Sequence, residues 1–317
     1  MLLIEQRPGS ADAQPWIMDA CGRRMPGFDD HRRMHELRAG LVRHGGVRAA
    51  PASAACEQVD RTLSTLHEPD YLRALAGVHT STPTLMPELA APGMAPDTPV
   101  SAEVAASAYE AVRAAITAAQ AVADGERFAY ALCRPPGHHA GPGWLGGYCY
   151  LNNAAAAVQT LRDAGVGPIG ILDLDIHYPN GTAAIAAGMT DTSLHSLHSW
   201  PVVNIPSRSA SPASEREHVV EFDRAPSSER YLSAVADSID ALAASSAALV
   251  LSLGYDTVAG DPHGCWGFSP AIFAEIGRLL AASQLPVCVV QEGGYALRSL
   301  AACSDAFAGG LLGGDCA

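Results

Sequence analysis

The chain has 317 residues, of which 48% are hydrophobic and 6% aromatic, so it can bury the core of one large α/β domain or of two small ones. Its formal net charge is −13, and all 20 basic residues are arginine because the chain contains no lysine. This balance disfavours a surface that binds nucleic acid or other phosphates, whereas it would attract a cationic small molecule or a basic peptide.

The compartment and the redox state are predicted from two further features. No apolar run approaches the length of a membrane span, and the run at the N-terminus is too short and wrongly flanked for a signal peptide. The eight cysteines are scattered without a CxxC pair, which favours reduced thiols over disulfides and leaves a metal to use other ligands. We therefore expect a soluble cytoplasmic protein with neither nucleic-acid nor membrane partners.

The first part of the chain predicts helices and one long loop. Apolar residues recur at helical spacing over Gln58–Ala76, and Pro69 is expected to split this stretch into two short helices. Five prolines exclude a regular helix from Val78–Ser101, which we interpret as a long loop at the rim of a functional site. The alanine-rich stretch Ala102–Ala123 predicts a long helix with Ser101 as its cap.

A double histidine follows the next element. The apolar run Phe128–Leu132 predicts a buried strand, and it ends in the loop CRPPGHHAG, where His138 and His139 stand side by side. Loops held by rigid strands are where catalytic residues usually lie. Two such histidines can equally be ordinary loop residues, so only partners elsewhere in the chain can decide between the two interpretations.

The second half of the chain alternates helices with short apolar strands. This order predicts a central, mostly parallel sheet with helices on both faces, in one domain over residues 1–317 that carries the loop 78–101 at its rim. The active site of such a sheet lies beyond the carboxyl ends of the strands. The predicted helices are Asn152–Asp163, Ser228–Ala244 and Pro270–Ala282, and the predicted strands are Ile169–Leu172, Ala248–Leu253 and Val287–Val290.

Polar residues follow these three strands at the points where they end. After the first strand, Asp173, Asp175 and His177 occupy alternate positions, which an extended chain turns to one face. The second strand leads to Asp256, and the third leads through two glycines, which permit a tight turn, to Tyr295. Together with the double histidine, these features predict one shared site at the edge of the sheet.

These residue types can form a catalytic metal site. Two carboxylates and one imidazole bind zinc with a position left open for water, which suits catalysis more than structure. Bound zinc lowers the pKa of its water to about 7 and polarises a carbonyl. Asp173 would hold one imidazole of the double histidine cationic, while the other would keep a pKa near the working pH for proton transfer. With Tyr295 donating to the developing oxyanion, the pattern predicts metal-assisted hydrolysis of an amide.

Five motifs stand out along the chain, RPPGHHA, GYCYLNNAAAA, ILDLDIHYPNGT, LGYDTVAGDP and EGGY. They resemble the zinc-dependent deacetylases, the family that includes the histone deacetylases and the bacterial acetylpolyamine amidohydrolases. The resemblance covers the chain from about Arg61 to Leu300. It implies a three-layer, arginase-like α/β fold with one zinc per chain, and removal of an N-acetyl or short N-acyl group from an amine.

The resemblance also implies roles for individual residues. His139 would be the general base and acid, with His138, paired to Asp173, as its electrostatic partner. Asp261 would be a structural loop residue and is kept out of the metal site. The implied zinc ligands are Asp175, His177 and Asp256.

Further positions complete the implied site. Asn180 would orient the general base, Tyr295 would bind the oxyanion, and the carbonyl of Gly147 would accept the N–H of the scissile amide. A potassium ion beside the zinc would be held partly by Asp173 and Ser196.

The sequence departs from the family pattern behind the metal ligands and in the substrate tunnel. Tyr178 and Pro179 replace the usual His-Gly pair, and the proline should reshape this loop because it fixes φ and removes a donor. The family tunnel has two aromatic walls, and the matching positions here are Tyr148 and Ile205. Loss of one ring would make the tunnel wider.

Two positions at the tunnel rim are open to alternative interpretations. His263 stands where the family usually has Leu or Met and where polyamine-specific members can have Glu. This histidine could hydrogen-bond a polar or anionic group of the substrate, or it could simply fill space. Asp97 matches a rim aspartate that grips the substrate backbone in histone-type members, but it could also be a turn residue next to Pro96.

The leading hypothesis is a zinc-dependent deacetylase acting on a small amine or polyamine-like molecule. Deacylation of protein acetyl-lysine is the alternative within this class, and a non-catalytic homologue that binds metal or an acyl ligand is the alternative outside it. The complete set of predicted catalytic residues argues against the non-catalytic form. Hydrolysis of guanidino groups would need a two-metal carboxylate set that is not visible. The proline-rich loop could restrict the tunnel in a homodimer, or it could be the lid of a monomer.

Overall fold

The computed structural model describes residues 1–7, 16–19, 21–93, 95–200 and 214–313. In this part of the chain, eight strands form one sheet in which every neighbouring pair is parallel. They are β1 (Leu2–Glu5), β4 (Arg48–Pro51), β5 (Phe128–Leu132), β6 (Ile169–Asp173), β7 (Thr192–Ser199), β8 (Glu217–Phe222), β9 (Ala248–Leu253) and β10 (Val287–Gln291). Their order across the sheet is β4-β1-β5-β10-β9-β6-β7-β8. A separate antiparallel hairpin consists of β2 (Trp16–Met18) and β3 (Arg24–Pro26).

Helices cover both faces of this sheet. One face packs against α2 (Cys56–Leu66), α3 (Pro69–Ala76), α4 (Ala102–Ala123) and α5 (Asn153–Asp163). The other face packs against α1 (Arg32–Leu41), α7 (Ser228–Ala243), α8 (Ala271–Ala282) and α9 (Leu297–Leu312). The short helix α6 (Asn180–Ala186) follows β6, and a single 3₁₀ turn lies at Pro87–Leu89. Among the described helices, none combines the length and the apolar character that crossing a membrane requires.

Strand β5 shows how the sequence divides its side chains between the two cores. All five of its residues are buried, as expected for a central strand of a parallel sheet. Ala129 and Ala131 face the core beneath α4 and α5, whereas Tyr130 faces the core beneath α1 and α9. The small alanines leave room for the alanine-rich helix α4 to pack against the strand.

The predicted fold class is confirmed, and so are most of the predicted elements. Helix α4 has the predicted bounds, and its cap is Ser101, whose hydroxyl accepts the N–H of Val104 at 3.3 Å. Pro69 is the first residue of α3, so it separates two helices as predicted. The eight-stranded sheet is continuous, while the single domain over residues 1–317 stays a prediction.

Several strands at or next to the edges of the sheet were not predicted from the sequence. Strand β1 is too short and too close to the terminus to be predicted, yet it lies between β4 and β5 and pairs with both. Strands β7 and β8 carry many polar residues, so their alternation is weak. Their pairing with the rest of the sheet, rather than local preference, makes them strands.

Candidate metal centre and cavity

The predicted site residues reach one edge of the sheet from four neighbouring strands, β5, β10, β9 and β6. β5 leads to the double histidine, β6 to the alternating carboxylates and His177, β9 to Asp256, and β10 to Tyr295. Parallel strands all end at the same edge, so residues far apart in the sequence lie together there.

Three side chains converge at this edge as a candidate metal site. One donor atom from each of Asp175, His177 and Asp256 lies within 4.8 Å of the other two. Nδ1 of His177 is 2.8 Å from Oδ1 of Asp175 and 3.2 Å from Oδ2 of Asp256. Among the described residues, this buried Oδ2 atom accepts no hydrogen bond, because the single N–H at Nδ1 of His177 is directed to the nearer oxygen of Asp175. Two carboxylates and an imidazole are a donor set that suits zinc, and a cation would satisfy the orphaned oxygen.

The charges of this group also favour a cation. Burial and the neighbouring charge of Asp175 raise the pKa of Asp256 to about 7. Burial would likewise raise the pKa of Asp175, but the positive charges of His138 and His177 outweigh it and hold that pKa well below its usual value. A divalent cation between the two carboxylates would relieve their mutual repulsion.

Glycines allow the backbone to approach these carboxylates closely. A Cβ atom at Gly254 or at Gly293 would lie 2.5 Å from Oδ2 of Asp175, so a larger residue does not fit at either position. The N–H of Gly293 donates to the same oxygen at 2.9 Å, and the N–H of Ile176 donates to Oδ1 of Asp256 at 3.1 Å. The backbone therefore orients both carboxylates.

The two adjacent histidines lie in different environments. Nδ1 of His138 is 3.3 Å from Oδ2 of Asp173, and although burial lowers the pKa of His138, the charges of Asp175 and Asp173 outweigh it and raise the value to about 10. Nδ1 of His139 is 2.7 Å from Oδ1 of Asn180. Burial, with the charge of His138, holds the pKa of His139 well below its ordinary value. The sequence predicts a near-neutral pKa for this second imidazole, and its complete burial explains the difference.

A second group of possible ligands lies behind the histidines and consists of His138, Cys149 and Glu292. Oε2 of Glu292 accepts the N–H groups of Gly137 and His138 at 2.7 and 3.1 Å, so this carboxylate anchors the histidine loop. Burial raises the pKa of the Cys149 thiol well above its usual value, which disfavours the thiolate that a metal needs. The group of Asp175, His177 and Asp256 is therefore the more favourable metal site. The sequence analysis missed the anchoring role of Glu292.

Tyr295 is held by contacts that the sequence analysis did not identify. Its N–H donates to Oδ2 of Asp261 at 2.6 Å. The guanidinium of Arg33 lies 4.5 Å from the centroid of the Tyr295 ring, and it donates to two carbonyls of the preceding turn, at 2.6 and 2.7 Å. Arg33 is fully buried in α1, and nothing in the local sequence distinguishes it from the exposed arginines nearby.

A cavity of about 500 Å³ opens onto this group of residues. The antiparallel hairpin β2–β3 forms part of its mouth, a role that the sequence analysis missed because both strands have only three residues. The floor includes His138, His139, Asp175, His177 and Tyr295. The hairpin contributes Ile17, Met18, Asp19, Arg23 and Met25.

Gly147 and Tyr148 form a turn in the cavity wall, and both have left-handed backbone conformations, with φ of +55° and +69°. The N–H of Gly147 is 3.2 and 3.3 Å from the two carboxylate oxygens of Asp97. The N–H of Tyr148 donates to Oγ1 of Thr98 at 3.0 Å. Asp97 lines the cavity and is only 7% exposed, and its carboxylate meets this turn.

His263 lies in the cavity wall as part of an aromatic cluster. Its Nε2 atom is 3.1 Å from the hydroxyl of Tyr148. Its ring packs edge-on against Phe28, Tyr148 and Tyr295, with centroid distances of 5.2, 5.5 and 4.9 Å. Burial lowers the pKa of His263 to about 4, so the ring is neutral near pH 7. Phe28 was not identified from the sequence, and Ile205, the predicted second tunnel wall, lies outside the described residues.

The residues predicted to hold potassium lie on one row across the sheet. Asp173 on β6 is in register with Ser196 on β7 and, on its other side, with Ser252 on β9. The hydroxyl of Ser196 is 2.8 Å from Nδ1 of His198, and in the described residues the buried hydroxyl of Ser252 has no hydrogen-bond partner. Oxygen ligands of this kind suit a hard cation.

Tyr178 and Pro179 extend the loop behind His177 toward the outer strands. The hydroxyl of Tyr178 donates to Oε1 of Glu217 on β8 at 2.6 Å, and Pro179 immediately precedes α6. Tyr178 thus connects the loop after His177 to the edge strand β8.

Comparison with known sequences identifies the family. A sequence model of the histone deacetylase domain matches residues 29–311. The acetylpolyamine amidohydrolase of Mycoplana ramosa is 37% identical over 211 residues, which are 63% of this chain and 61% of that protein. Acetylpolyamine amidohydrolase 1 of Pseudomonas aeruginosa is 34% identical over 224 residues, which are 68% of this chain and 65% of that protein. The matched segments thus span just under two thirds of these curated relatives.

Comparison with solved structures shows a likeness over nearly the whole chain. The crystal structure of an acetylpolyamine aminohydrolase from Burkholderia pseudomallei superimposes with a TM-score of 0.84 at 30% sequence identity. The superposition covers 98% of each chain. The structure of the HDA15 HD domain superimposes with a TM-score of 0.76 at 23% identity, a likeness of fold.

Proposed function

This chain belongs to the histone deacetylase domain family, and from that premise we propose that it is a metal-dependent amidohydrolase that removes an N-acetyl or short N-acyl group from a small amine or polyamine-like molecule. One observation carries the proposal. Asp175, His177 and Asp256 bring their donor atoms within 4.8 Å of one another beside the floor of a cavity that His138, His139 and Tyr295 also reach.

In this proposal, one zinc ion is held by Asp175, His177 and Asp256. When bound, zinc lowers the pKa of a water ligand to about 7 and polarises the carbonyl of the amide. The orphaned Oδ2 atom of Asp256 and the opposed pKa shifts of the two carboxylates support a cation at this place.

His139 is proposed to move the protons. The Oδ1 atom of Asn180 can only accept a hydrogen bond, so Nδ1 of His139 carries the proton and Nε2 keeps its lone pair. His139 can then take a proton from the attacking water and return it to the leaving amine. His138, held cationic beside Asp173, stabilises negative charge as it develops.

The remaining roles concern the amide itself. The hydroxyl of Tyr295 donates to the oxyanion, and the carbonyl of Gly147 accepts the N–H of the scissile bond. Tyr148 and His263 line the acyl chain, and Ile205 stays the sequence-based candidate for the second wall. Asp97 lies beside them at the rim.

A small cationic substrate is favoured over a protein for two reasons. The two curated relatives described above are named for acetylpolyamines, and the net charge of −13 attracts cationic molecules. In addition, the hairpin β2–β3 occupies part of the mouth, which leaves less room for a folded protein surface.

Three further features belong to the proposal. A potassium ion would lie near Asp173 and Ser196, which are in register on neighbouring strands. The chain would form a homodimer that restricts the cavity mouth, which sedimentation would test. The seven described cysteines are free thiols, and we place the protein in the reducing cytoplasm.

Acetate release by the zinc-loaded protein tests the proposal. The panel contains acetylated diamines, acetylated polyamines, acetylated amino acids and acetyl-lysine peptides, each also assayed with metal-stripped protein. Metal-dependent release from the diamines or polyamines supports the proposal, whereas release from the peptides alone favours protein deacylation. A protein that binds one zinc but releases no acetate or longer acyl group from any substrate would be a non-catalytic binder.

A further inference from the structure

We propose that Asp97 and Thr98 are positioning residues that hold the Gly147–Tyr148 turn in its active shape, so that Asp97 serves the enzyme's own backbone and not the backbone or amine of the substrate. The inference rests on the proposed function, because it concerns two groups assigned there to the acyl amide, the Gly147 carbonyl and the Tyr148 ring.

The turn needs support because its backbone is unfavourable. Gly147 and Tyr148 have consecutive positive φ angles of +55° and +69°. Glycine adopts such angles readily, but a tyrosine there has its Cβ atom close to the following carbonyl, so it persists only when surrounding contacts hold it. The strained residue carries the aromatic ring of the cavity wall.

The Asp97–Thr98 dipeptide supplies those contacts to both strained residues. The carboxylate of Asp97 accepts the N–H of Gly147, and the hydroxyl of Thr98 accepts the N–H of Tyr148 at 3.0 Å. The same hydroxyl donates to Oδ1 of Asp97 at 2.7 Å, so the two N–H groups are linked to one carboxylate. Asp97 and Thr98 are 7% and 1% exposed, so water competes little for these bonds.

The proline-rich loop gives the dipeptide a fixed position. The carbonyl of Asp97 accepts the N–H of Met18 in the hairpin at 2.9 Å. Next to the dipeptide, the carbonyl of Pro99 accepts the hydroxyl of Tyr150 at 2.6 Å, and Val100 pairs with Thr84 across the loop. Because Asp97 and Thr98 are hydrogen-bonded both to the hairpin and to the strained turn, this segment of the loop connects two parts of the cavity wall.

A shift of the Gly147–Tyr148 turn would displace the ring of His139, the proposed general base. A Cβ atom at Gly147 would lie 2.4 Å from Cδ2 of His139, so the turn packs directly on that ring. The carboxylate of Asp97 is already engaged by two groups of the enzyme itself, the N–H of Gly147 and the hydroxyl of Thr98.

Two substrates, one with and one without a distal charge, distinguish whether Asp97 positions the turn or binds the substrate. N-acetylputrescine has a distal ammonium group, and N-pentylacetamide has the same length with a methyl group in place of that ammonium. If Asp97 positions the turn, Asp97→Asn should lower kcat by the same factor for both substrates, on the order of 10- to 100-fold, because one charge-assisted bond is weakened. A loss confined to N-acetylputrescine and to KM would overturn the proposal in favour of a substrate grip.

Variants of the neighbouring threonine provide the control. Thr98→Val should lower kcat for both substrates in the same way, and Thr98→Ser should restore it because the hydroxyl returns. Thr117 is the matched control, since its Oγ1 atom accepts the N–H groups of Ser53 and Ala54 at 3.1 and 3.0 Å outside the cavity lining. Thr117→Val should leave kcat unchanged. Equal kcat in Thr98→Val and wild type would contradict the positioning role.

Hydrogen exchange tests the positioning role without any activity. In the wild type the amides of Gly147 and Tyr148 should be protected, and in Asp97→Asn and Thr98→Val their exchange should become roughly 10- to 100-fold faster. Unprotected amides in the wild type, or unchanged exchange in the variants, would overturn the proposal. If the wild type releases no acyl group from any substrate of the panel described above but exchange behaves as expected, the proposed function fails while the positioning role stands.

Discussion

At the floor of the cavity and directly beside it, Asp175 and Asp256 closely follow central strands of the sheet, whereas at the mouth, Phe28, Asp97 and His263 come from three separate loops. The floor carboxylates are fixed by backbone N–H groups and by glycines that permit close approach. The mouth residues are fixed mainly by one another, through ring contacts and hydrogen bonds across distant parts of the sequence. The two carboxylates are thus held by the strands and backbone of the sheet, whereas the arrangement of the mouth depends on how the loops pack against one another.

Removing the charge of a proposed metal ligand should have the largest effect, which is the loss of zinc binding. Asp256→Asn keeps the size of the side chain but removes the anion, so zinc affinity should fall by more than about 100-fold, beyond what loss of an outer partner costs. Zinc content per chain after dialysis against a weak chelator measures this. Asp261→Asn, which alters a carboxylate outside the three converging donors, should keep its zinc. Wild-type zinc content in Asp256→Asn would exclude Asp256 as a ligand.

Loss of the Tyr295 hydroxyl should reduce the rate without emptying the metal site. Removal of one donor to an oxyanion costs about 10²- to 10³-fold in kcat. Tyr295→Phe should show a loss of this size in acetate release at unchanged zinc content. Tyr109→Phe is the matched control, because the Tyr109 hydroxyl donates to Asp60 at 2.7 Å away from the cavity lining. If both variants retain the wild-type kcat, Tyr295 has no catalytic role.

The tight packing of the floor should be visible in stability. Gly294 has a φ of +110°, and a Cβ atom there would lie 2.7–3.0 Å from atoms of Tyr255, so Gly294→Ala should lower the free energy of unfolding by about 2–5 kcal/mol. Gly165 has a φ of +79° with nothing within 4 Å, so Gly165→Ala should cost only about 1–2 kcal/mol. Urea unfolding measures the loss of stability in both variants. Equal losses would show that the residues packed around Gly294 can move to accommodate a methyl group.

The smallest effect is expected at the mouth. His263→Leu removes one neutral hydrogen bond to Tyr148 and keeps an apolar side chain against Phe28 and Tyr295. KM for the best substrate should rise about 2- to 10-fold with kcat nearly unchanged. Steady-state kinetics measure both constants. An unchanged KM would remove any role for His263 in substrate binding.

Much of the fold and of the floor could be predicted from local sequence. Short apolar runs alternating with helical patterns predict a parallel sheet, and the residues after each run then share an edge because parallel strands end together. Asp175, His177, Asp256 and Tyr295 were all singled out in this way. The pairing of His139 with Asn180 came only from family resemblance, since no local pattern links residues 41 positions apart.

The mouth could not be predicted to the same extent. The hairpin β2–β3 is too short to show periodicity, and Phe28 acquires its place only by packing against His263. Arg33 looks like a surface residue of an amphipathic helix, yet it is fully buried against Tyr295. Asp97 was interpreted from the sequence either as a residue that grips the substrate or as a turn residue next to Pro96. Its contact with Gly147 depends on where a proline-rich loop crosses a distant turn.

The sequence by itself determined the central strands, the helices between them and the residue types at the edge of the sheet, because hydrophobic periodicity and strand ends are local properties. Only the tertiary structure decided how the charges and the cavity wall are arranged. Burial separates the pKa values of His138 and His139, which are neighbours in the chain. A strained turn at Tyr148 is held by a loop about 50 residues earlier in the chain. Both effects arise from long-range packing, which no short stretch of sequence encodes.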